Sequence, residues 1–257
     1  MKKVDIRKKE ILDLLVTNED VKIEDLVKHL NVSDVTIRRT LIELEKEGKV
    51  IRTHGGVKLY RKSFDYFFDK KVAHNIEQKR AIGQKAADLI KSNEVIFLDS
   101  GTTVLRVAES IARRIEGDQV TDITIVTNSI AVAEVLGDLC KVIILGGQVR
   151  LFRKDLYGPL VEKNIRMFRA DKSFIGADAL SLKDGLMTTD EYTSKIDEEM
   201  IRRGSEVILV VDSSKFNSVS FVSFANVNNI DIIISDRGVD DAVKKEFEGK
   251  GVKLILS

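Results

Sequence analysis

The chain has 257 residues, 43% of them hydrophobic and 32% charged, which carries one large domain or two modest ones and excludes a disordered chain. A formal net charge of +1 conceals an asymmetry. Residues 1–62 hold 15 Lys and Arg against 11 Asp and Glu, so a small basic front precedes a mildly acidic body, as in a nucleic-acid module joined to something else. No apolar run approaches the roughly 18 residues that span a bilayer, and no apolar stretch follows Met1, Lys2, Lys3, Val4 and Asp5 as in a signal peptide; a cytoplasmic protein without a membrane partner is expected.

Ile6, Ile11, Leu14 and Leu15 mark one face of a first helix, ended by residues 18–20, and Ile23, Leu26, Val27 and Leu30 mark a second. Asn31 and Val32 turn the chain, Ser33 is placed as an N-cap, and Ile37, Leu41 and Leu44 face a third helix toward the core. Thr36, Arg39, Thr40 and Glu43 are read on its other side, with Arg38 on the flank. Two short helices, a tight turn and a third helix presenting Thr and Arg make a helix-turn-helix over about residues 20–40, whose last helix enters the major groove. After Gly48, an alternating strand, Gly55-Gly56 and a returning strand form a wing. The expected contacts to double-stranded DNA are Ser33, Thr36, Arg38 and Arg39 from the helix and Arg52, His54 and Lys58 from the wing. The blander reading is a solvated helix face, but turn, cap, helix and wing occur together.

Residues 60–75 are rich in Lys, Asp and Phe, with Phe64, Tyr66, Phe67 and Phe68 clustered. The segment reads as a joining piece whose aromatics pack between domains or subunits. The expected division is therefore 1–58 for the winged helix-turn-helix, 59–75 for the linker and 76–257 for a second domain. A long amphipathic helix from Ile76 through Ile82, Ala86, Leu89 and Ile90 leads to the apolar run Val95, Ile96, Phe97 and Leu98, a buried strand.

That strand ends in Asp99, Ser100, Gly101, Thr102 and Thr103, and a helical pattern follows at once. Backbone N–H groups at the positive end of a helix dipole, a Gly that admits an anion and three hydroxyls suit a phosphate cradle. The same residues equally suit an ordinary N-cap, and both readings stay open on the loop alone. Strand, loop and helix then repeat at residues 123–136. Further strands are read at 142–145, 172–175, 207–211, 230–234 and 252–256, with a helix at 239–247. This alternation predicts a largely parallel sheet with helices on both faces and ligands outside the carboxyl ends of its strands. Cys140 beside the strand at 142–145 reads as an inert buried thiol, and His29, His54 and His74 show no metal-ligand spacing with it, so neither metal nor cofactor is expected.

The run Val32-Ser33-Asp34-Val35-Thr36-Ile37-Arg38-Arg39, with Gly48 and Arg52-Thr53-His54-Gly55-Gly56, resembles the DeoR family of bacterial transcription regulators. The resemblance extends through Lys79-Arg80-Ala81-Ile82, residues 99–103, Thr127-Asn128-Ser129, Gly146-Gly147 with Arg150, Gly158-Pro159, residues 171–178 and Asp212-Ser213-Ser214-Lys215-Phe216. It implies a repressor of sugar-catabolic genes released by a phosphorylated sugar, with a Rossmann-like sensor domain similar to ribose-5-phosphate isomerase. It further implies that Asp99 to Thr103 hold the phosphate, that Thr127, Asn128 and Gly147 line the same pocket, and that Asp178 and Lys215 meet sugar hydroxyls and charge.

Two departures from the family pattern stand out. Thr40 replaces the Asp usual after the Arg pair, and Tyr192 and Asp197 stand where the family commonly has Glu and Lys, with Glu191 and Lys195 as adjacent substitutes. A homo-oligomer, dimer or tetramer, is expected, since two half-sites multiply the affinity of one short helix. The competing classes are a phosphosugar isomerase-like enzyme, with Asp178, Glu191 and Lys215 as acid–base candidates, and a transcriptional activator. An isomerase has no use for a DNA-reading module.

Overall fold

The computed structural model describes residues 3–17, 21–47, 49–53, 55–59, 68–151 and 153–257. Phe64, Tyr66, Phe67, Gly48 and the wing-tip His54 lie outside these. The chain divides into two compact units, Met1–Asp65 and Tyr66–Ser257.

The first unit runs α1 (Lys3–Thr17), β1 (Val21–Lys22), α2 (Ile23–Leu30), α3 (Asp34–Lys46), β2 (Val50–Arg52) and β3 (Gly56–Leu59). Ile11, Leu15, Leu26, Ile37, Leu41 and Leu44 are buried with Val50 and Val57 of the wing, so the helical spacing of the apolar residues sets how the helices pack. Asn31 ends α2 at φ 50°, a left-handed position that Asn tolerates. Ser33 then caps α3 by accepting from the Thr36 N–H. Gly55 turns the wing at φ +84°, where a side chain would be strained. The strand β1 is too short for alternation to reveal it. It joins the wing through β3, in the order β1-β3-β2.

The second unit opens with α4 (Phe68–Ala73) and α5 (Ile76–Ala87), followed by β4 (Val95–Leu98), α6 (Thr102–Glu116), β5 (Thr124–Thr127), α7 (Ile130–Leu136) and β6 (Lys141–Ile144). A hairpin of β7 (Gln148–Arg150) and β8 (Asp155–Tyr157) precedes α8 (Pro159–Ile165), β9 (Ala170–Ile175), β10 (Ala179–Ser181) and β11 (Gly185–Thr188). Then come α9 (Glu191–Arg203), β12 (Gly204–Val210), β13 (Val222–Ala225), β14 (Ile232–Ser235), α10 (Asp241–Glu248) and β15 (Lys253–Leu256). The expected strands form one parallel sheet of seven, ordered β15-β14-β12-β9-β4-β5-β6.

Alternate residues of each strand feed two cores. Ile96, Leu98, Ile208 and Val210 pack with Ile82, Ala86, Val107 and Ile111 of α5 and α6. Phe97, Ile175 and Leu209 pack with Val161, Ile196, Met200 and Phe247 on the opposite face, as covering helices on a parallel sheet require. A Cβ at Gly83 would come within 2.5 Å of the Arg106 carbonyl carbon; the α5–α6 crossing needs glycine there. The small antiparallel sheet β10-β11-β13 carried no clear sequence signal.

The chain runs outward from β4 to β5 and β6, then returns to the other side of β4 to lay down β9. The β4/β9 junction is therefore the topological switch point, where the loops after two neighbouring strands diverge and leave a crevice. Residues 68–75, expected in the joining segment, belong to the second unit. Phe68 is buried against Leu105 and Ala131 of the same unit, so this aromatic packs within the second unit and not between domains or subunits as expected.

Candidate functional site

In the first unit, the outward stripe of α3 is Val35, Arg38, Arg39, Ile42 and Lys46, all exposed, with Val35 at 75%. Thr40, expected on that side, is buried: its hydroxyl donates to the Thr36 carbonyl at 2.9 Å and accepts from Arg7 at 3.4 Å. Arg38 is therefore central to the open face, where it pairs with Asp34 one turn earlier. Thr36 is half-buried, its hydroxyl 2.8 Å from that of Ser33. Arg52 folds back on α3, with Nε 2.7 Å from Glu45.

Lys58 pairs in register with Ile51, and Arg52 with Val57. Neighbouring residues of a strand point to opposite faces, so Arg52 and Lys58 lie on opposite faces of the wing. His54 lies outside the described residues. Exposed apolar Val35 and Ile42 flank the two arginines on this stripe, and neither stands out in a sequence pattern dominated by the charges between them.

In the second unit, a cleft of about 110 Å³ opens at the switch point. Asp99, Ser100, Gly101, Thr102 and Thr103 line one wall after β4, Gly176 and Asp178 the next after β9, and Lys215 a third after β12. The N-cap of α6 is Gly101, and no side chain caps it, so the first turn of the helix lacks the usual hydroxyl partner for its N–H groups.

Asp99 holds this geometry together. Its carboxylate accepts from the backbone N–H of Gly101 and of Gly176, pinning the two divergent loops to each other. A Cβ at Gly101 would lie 2.9 Å from its Oδ1. Burial pushes the Asp99 carboxyl up to about 6, against the pull of the two N–H groups. Asp99 thus ties the β4 and β9 loops together at this end of the cleft.

Cations gather on the opposite wall. Lys71 of α4 pairs with Asp178, whose other oxygen accepts from the Thr188 and Thr189 hydroxyls and the Thr189 N–H. Burial raises the Asp178 carboxyl, but the Lys71 charge and hydrogen bond, the Thr189 N–H and Lys215 outweigh it and hold it at about 2. Lys79 of α5 is buried and donates to the Lys71 carbonyl. Burial lowers it to about 8, with Asp212 opposing and Lys215 and Lys71 adding to the fall. Asp212 accepts from Asn75 at 3.1 Å, fastening the β12 loop to the start of α5. Arg153 and His74 complete the rim.

Four expected residues do not line this cleft. The Thr127 hydroxyl is fully buried and accepts from the Ser129 N–H. Asn128 donates to the Leu156 carbonyl at 3.0 Å. A Cβ at Gly147 would meet the Tyr157 carbonyl at 2.6 Å, so this glycine serves close packing with β8. Glu191 is exposed at the start of α9. In exchange the cleft takes Lys71, His74, Lys79, Arg153, Thr188, Thr193 and Asp197. Of these, Asp197 carried a readable sign, an acid at a core-facing helical position beside Ile196, Met200 and Ile201.

Residues 7–63 match the DeoR-like helix-turn-helix domain and residues 74–237 the DeoR C terminal sensor domain. The chain belongs to the DeoR family. The HTH-type transcriptional regulator GlpR of Haloferax volcanii is 35% identical over 97% of this chain and 96% of its own length. The HTH-type transcriptional repressor GlcR of Bacillus subtilis is 32% identical, covering 96% of this chain and 94% of its own. The lactose phosphotransferase system repressor of Staphylococcus epidermidis is 32% identical, covering 96% of both. Among solved structures, ribose 5-phosphate isomerase from Plasmodium falciparum aligns at 20% identity and a TM-score of 0.41, over 55% of this chain and 52% of that one. This DeoR-family regulator thus joins a DNA-binding unit to an effector-sensing one, and its relatives named here are transcription regulators. Among the described residues no helix is long and apolar enough to cross a membrane.

Proposed function

We propose that this DeoR-family protein represses sugar-catabolic genes and leaves its operator when a phosphorylated sugar enters the cleft at the β4/β9 switch point. The observation that carries the reading is the uncapped N-terminus of α6, set with Ser100, Thr102 and Thr103 in one cleft with Lys71, Lys79, Arg153 and Lys215. Phosphate there gains backbone donors, hydroxyls and cations together. Relatives named as a repressor of a lactose phosphotransferase system and as the repressor GlcR support the sugar connection.

On the DNA side, Arg38 and Arg39 reach base edges, with Thr36 beside them and Val35 against a thymine methyl. Ser33, Lys58, Arg52 and His54 serve the phosphate backbone. A homo-oligomer supplies the second half-site. Since Lys71 and Lys79 sit on α4 and α5, the first described elements after residue 67, phosphate bound to them shifts the segment through which the chain reaches the DNA-reading unit.

The test begins with operator sites selected from random duplexes. Bound DNA is then titrated with a panel of phosphorylated sugars in fluorescence anisotropy, in parallel with thermal shift. At least one compound should both raise the melting temperature, as a ligand of the folded state must, and release the DNA. A panel that moves neither readout removes the effector reading, and a ligand that tightens DNA binding points to activation.

A further inference from the structure

Asp197 projects from α9 into the cleft with 3% of its surface exposed. Three polar neighbours in the cleft are already engaged. Asp99 is bound to two backbone N–H groups, Asp178 to Lys71 and the two threonines, and Thr193 to Asp190 and Arg150. Among the described residues, Asp197 has neither a hydrogen bond nor an ion pair. A buried carboxylate left in that state is costly unless a partner arrives. We infer that Asp197 receives the ammonium of a phosphorylated amino sugar, whose phosphate occupies the 99–103 loop. The inference rests on the phosphorylated-sugar reading above and names the class of sugar.

The charge around Asp197 separates this ligand from the alternatives. Burial raises the Asp197 carboxyl well above its ordinary value, and Asp99, Asp178 and Asp190 reinforce the rise, with Arg153 opposing it. A sugar hydroxyl supplies a donor but leaves the like charges unbalanced. An ammonium supplies the donor and cancels the charge. A divalent metal needs several ligands at once, and among the described residues no three His, Cys, Asp or Glu are grouped to hold one. The cleft therefore offers both the 99–103 loop for an anion and the Asp197 carboxylate for a cation, charges that a phosphate ester of an aminodeoxy sugar carries on one small frame.

The test is calorimetric titration of the full chain and of Asp197→Asn with two matched pairs: glucosamine 6-phosphate against glucose 6-phosphate, and galactosamine 6-phosphate against galactose 6-phosphate. In at least one pair the amino sugar should bind at least ten-fold more tightly. Asp197→Asn should erase that preference, bringing the two affinities within each pair to within about two-fold of each other; an unchanged circular dichroism spectrum shows that the variant folds. Equal binding in both pairs, or a preference that survives the substitution, overturns the amino-sugar inference and leaves the phosphate cradle standing. If none of the four binds and inorganic phosphate gives no thermal shift, the inference falls together with the phosphorylated-sugar reading.

Discussion

On the DNA-reading unit, Arg38 pairs with Asp34 and Arg52 with Glu45 through side chains that are each at least 37% exposed. In the sensor unit, Arg150, 12% exposed, reaches Asp155, which is fully buried, at 2.6 Å, and Asp190 at 2.8 Å. Exposed pairs are held weakly and screened by salt. They can be traded for phosphate contacts with little desolvation. A buried pair is costly to break because the remaining charge has nowhere to go. Arg38 and Arg52 are thus cheap to re-pair, while Arg150 serves as scaffold.

The largest expected effect tests that contrast directly. Arg150→Met should destabilise the protein by about 3 kcal/mol in a urea melt, the lower part of the range for orphaning a buried charge, because Arg153 stands 3.7 Å from Asp155 and partly compensates. Arg52→Met should be indistinguishable from the parent in the same melt. Similar losses for both would erase the distinction between the two regions.

A substitution on the open stripe should show the opposite profile. Arg39→Ala should weaken operator binding by about 1–3 kcal/mol and relax preference at one base, yet leave the melting temperature and any effector-induced shift unchanged. Operator affinity equal to the parent's would take Arg39 off the reading surface.

The third test uses pH to sharpen the difference. Asp197 carries a raised carboxyl, so its contribution to stability is complete below the unfolded value of about 3.9 and is lost as pH rises through the folded value. Asp197→Asn removes the group that becomes charged. The variant should melt higher than the parent at pH 7.5, and the gap should close by pH 4. Asp178 runs the other way: held at about 2, it stabilises the fold above the ordinary carboxylate range and loses that contribution only as pH falls toward 2. A gap that widens toward pH 4 would contradict the assignment to Asp197.

How far the sequence carried differs between fold and site for a physical reason. The seven strands of the main sheet are apolar runs followed by small polar loops, a local pattern, so each was placed within a few residues. The 99–103 loop was legible for the same reason. The other wall of the cleft comes from residues such as Lys71 and Asp178, 107 positions apart, and no local spacing announces such a meeting. Thr127 and Asn128 stand at a strand end like Asp99, but β5 lies one strand away from the switch point. Being at the carboxyl end of a strand was read correctly; being at the right strand required the strand order. Lys71 is hidden for a simpler reason: a charged, aromatic segment without helical periodicity reads as a joiner.

The smallest effect concerns the core of the reading unit, where Thr40 replaces the Asp usual in the family. The Thr40 hydroxyl satisfies the Thr36 carbonyl of its own helix and receives Arg7 at 3.4 Å. An aspartate at this position cannot donate to that carbonyl, but it offers Arg7 a full charge in place of a long hydrogen bond. Those changes oppose each other. Charge-assisted bonds run roughly twice the strength of neutral ones, and the carbonyl keeps its α-helical partner, since backbone carbonyls hold two lone pairs. Burying a carboxylate at this 2%-exposed position also carries a desolvation cost that offsets the charge gained, so Thr40→Asp should move the stability in a urea melt by less than about 1 kcal/mol. Because Thr40 is buried and points away from the stripe of Arg38 and Arg39, operator affinity should stay where it was. A change in base preference on this substitution would mean that the helix turns about its axis when the buried contact is altered, and that Arg7 helps set the reading angle.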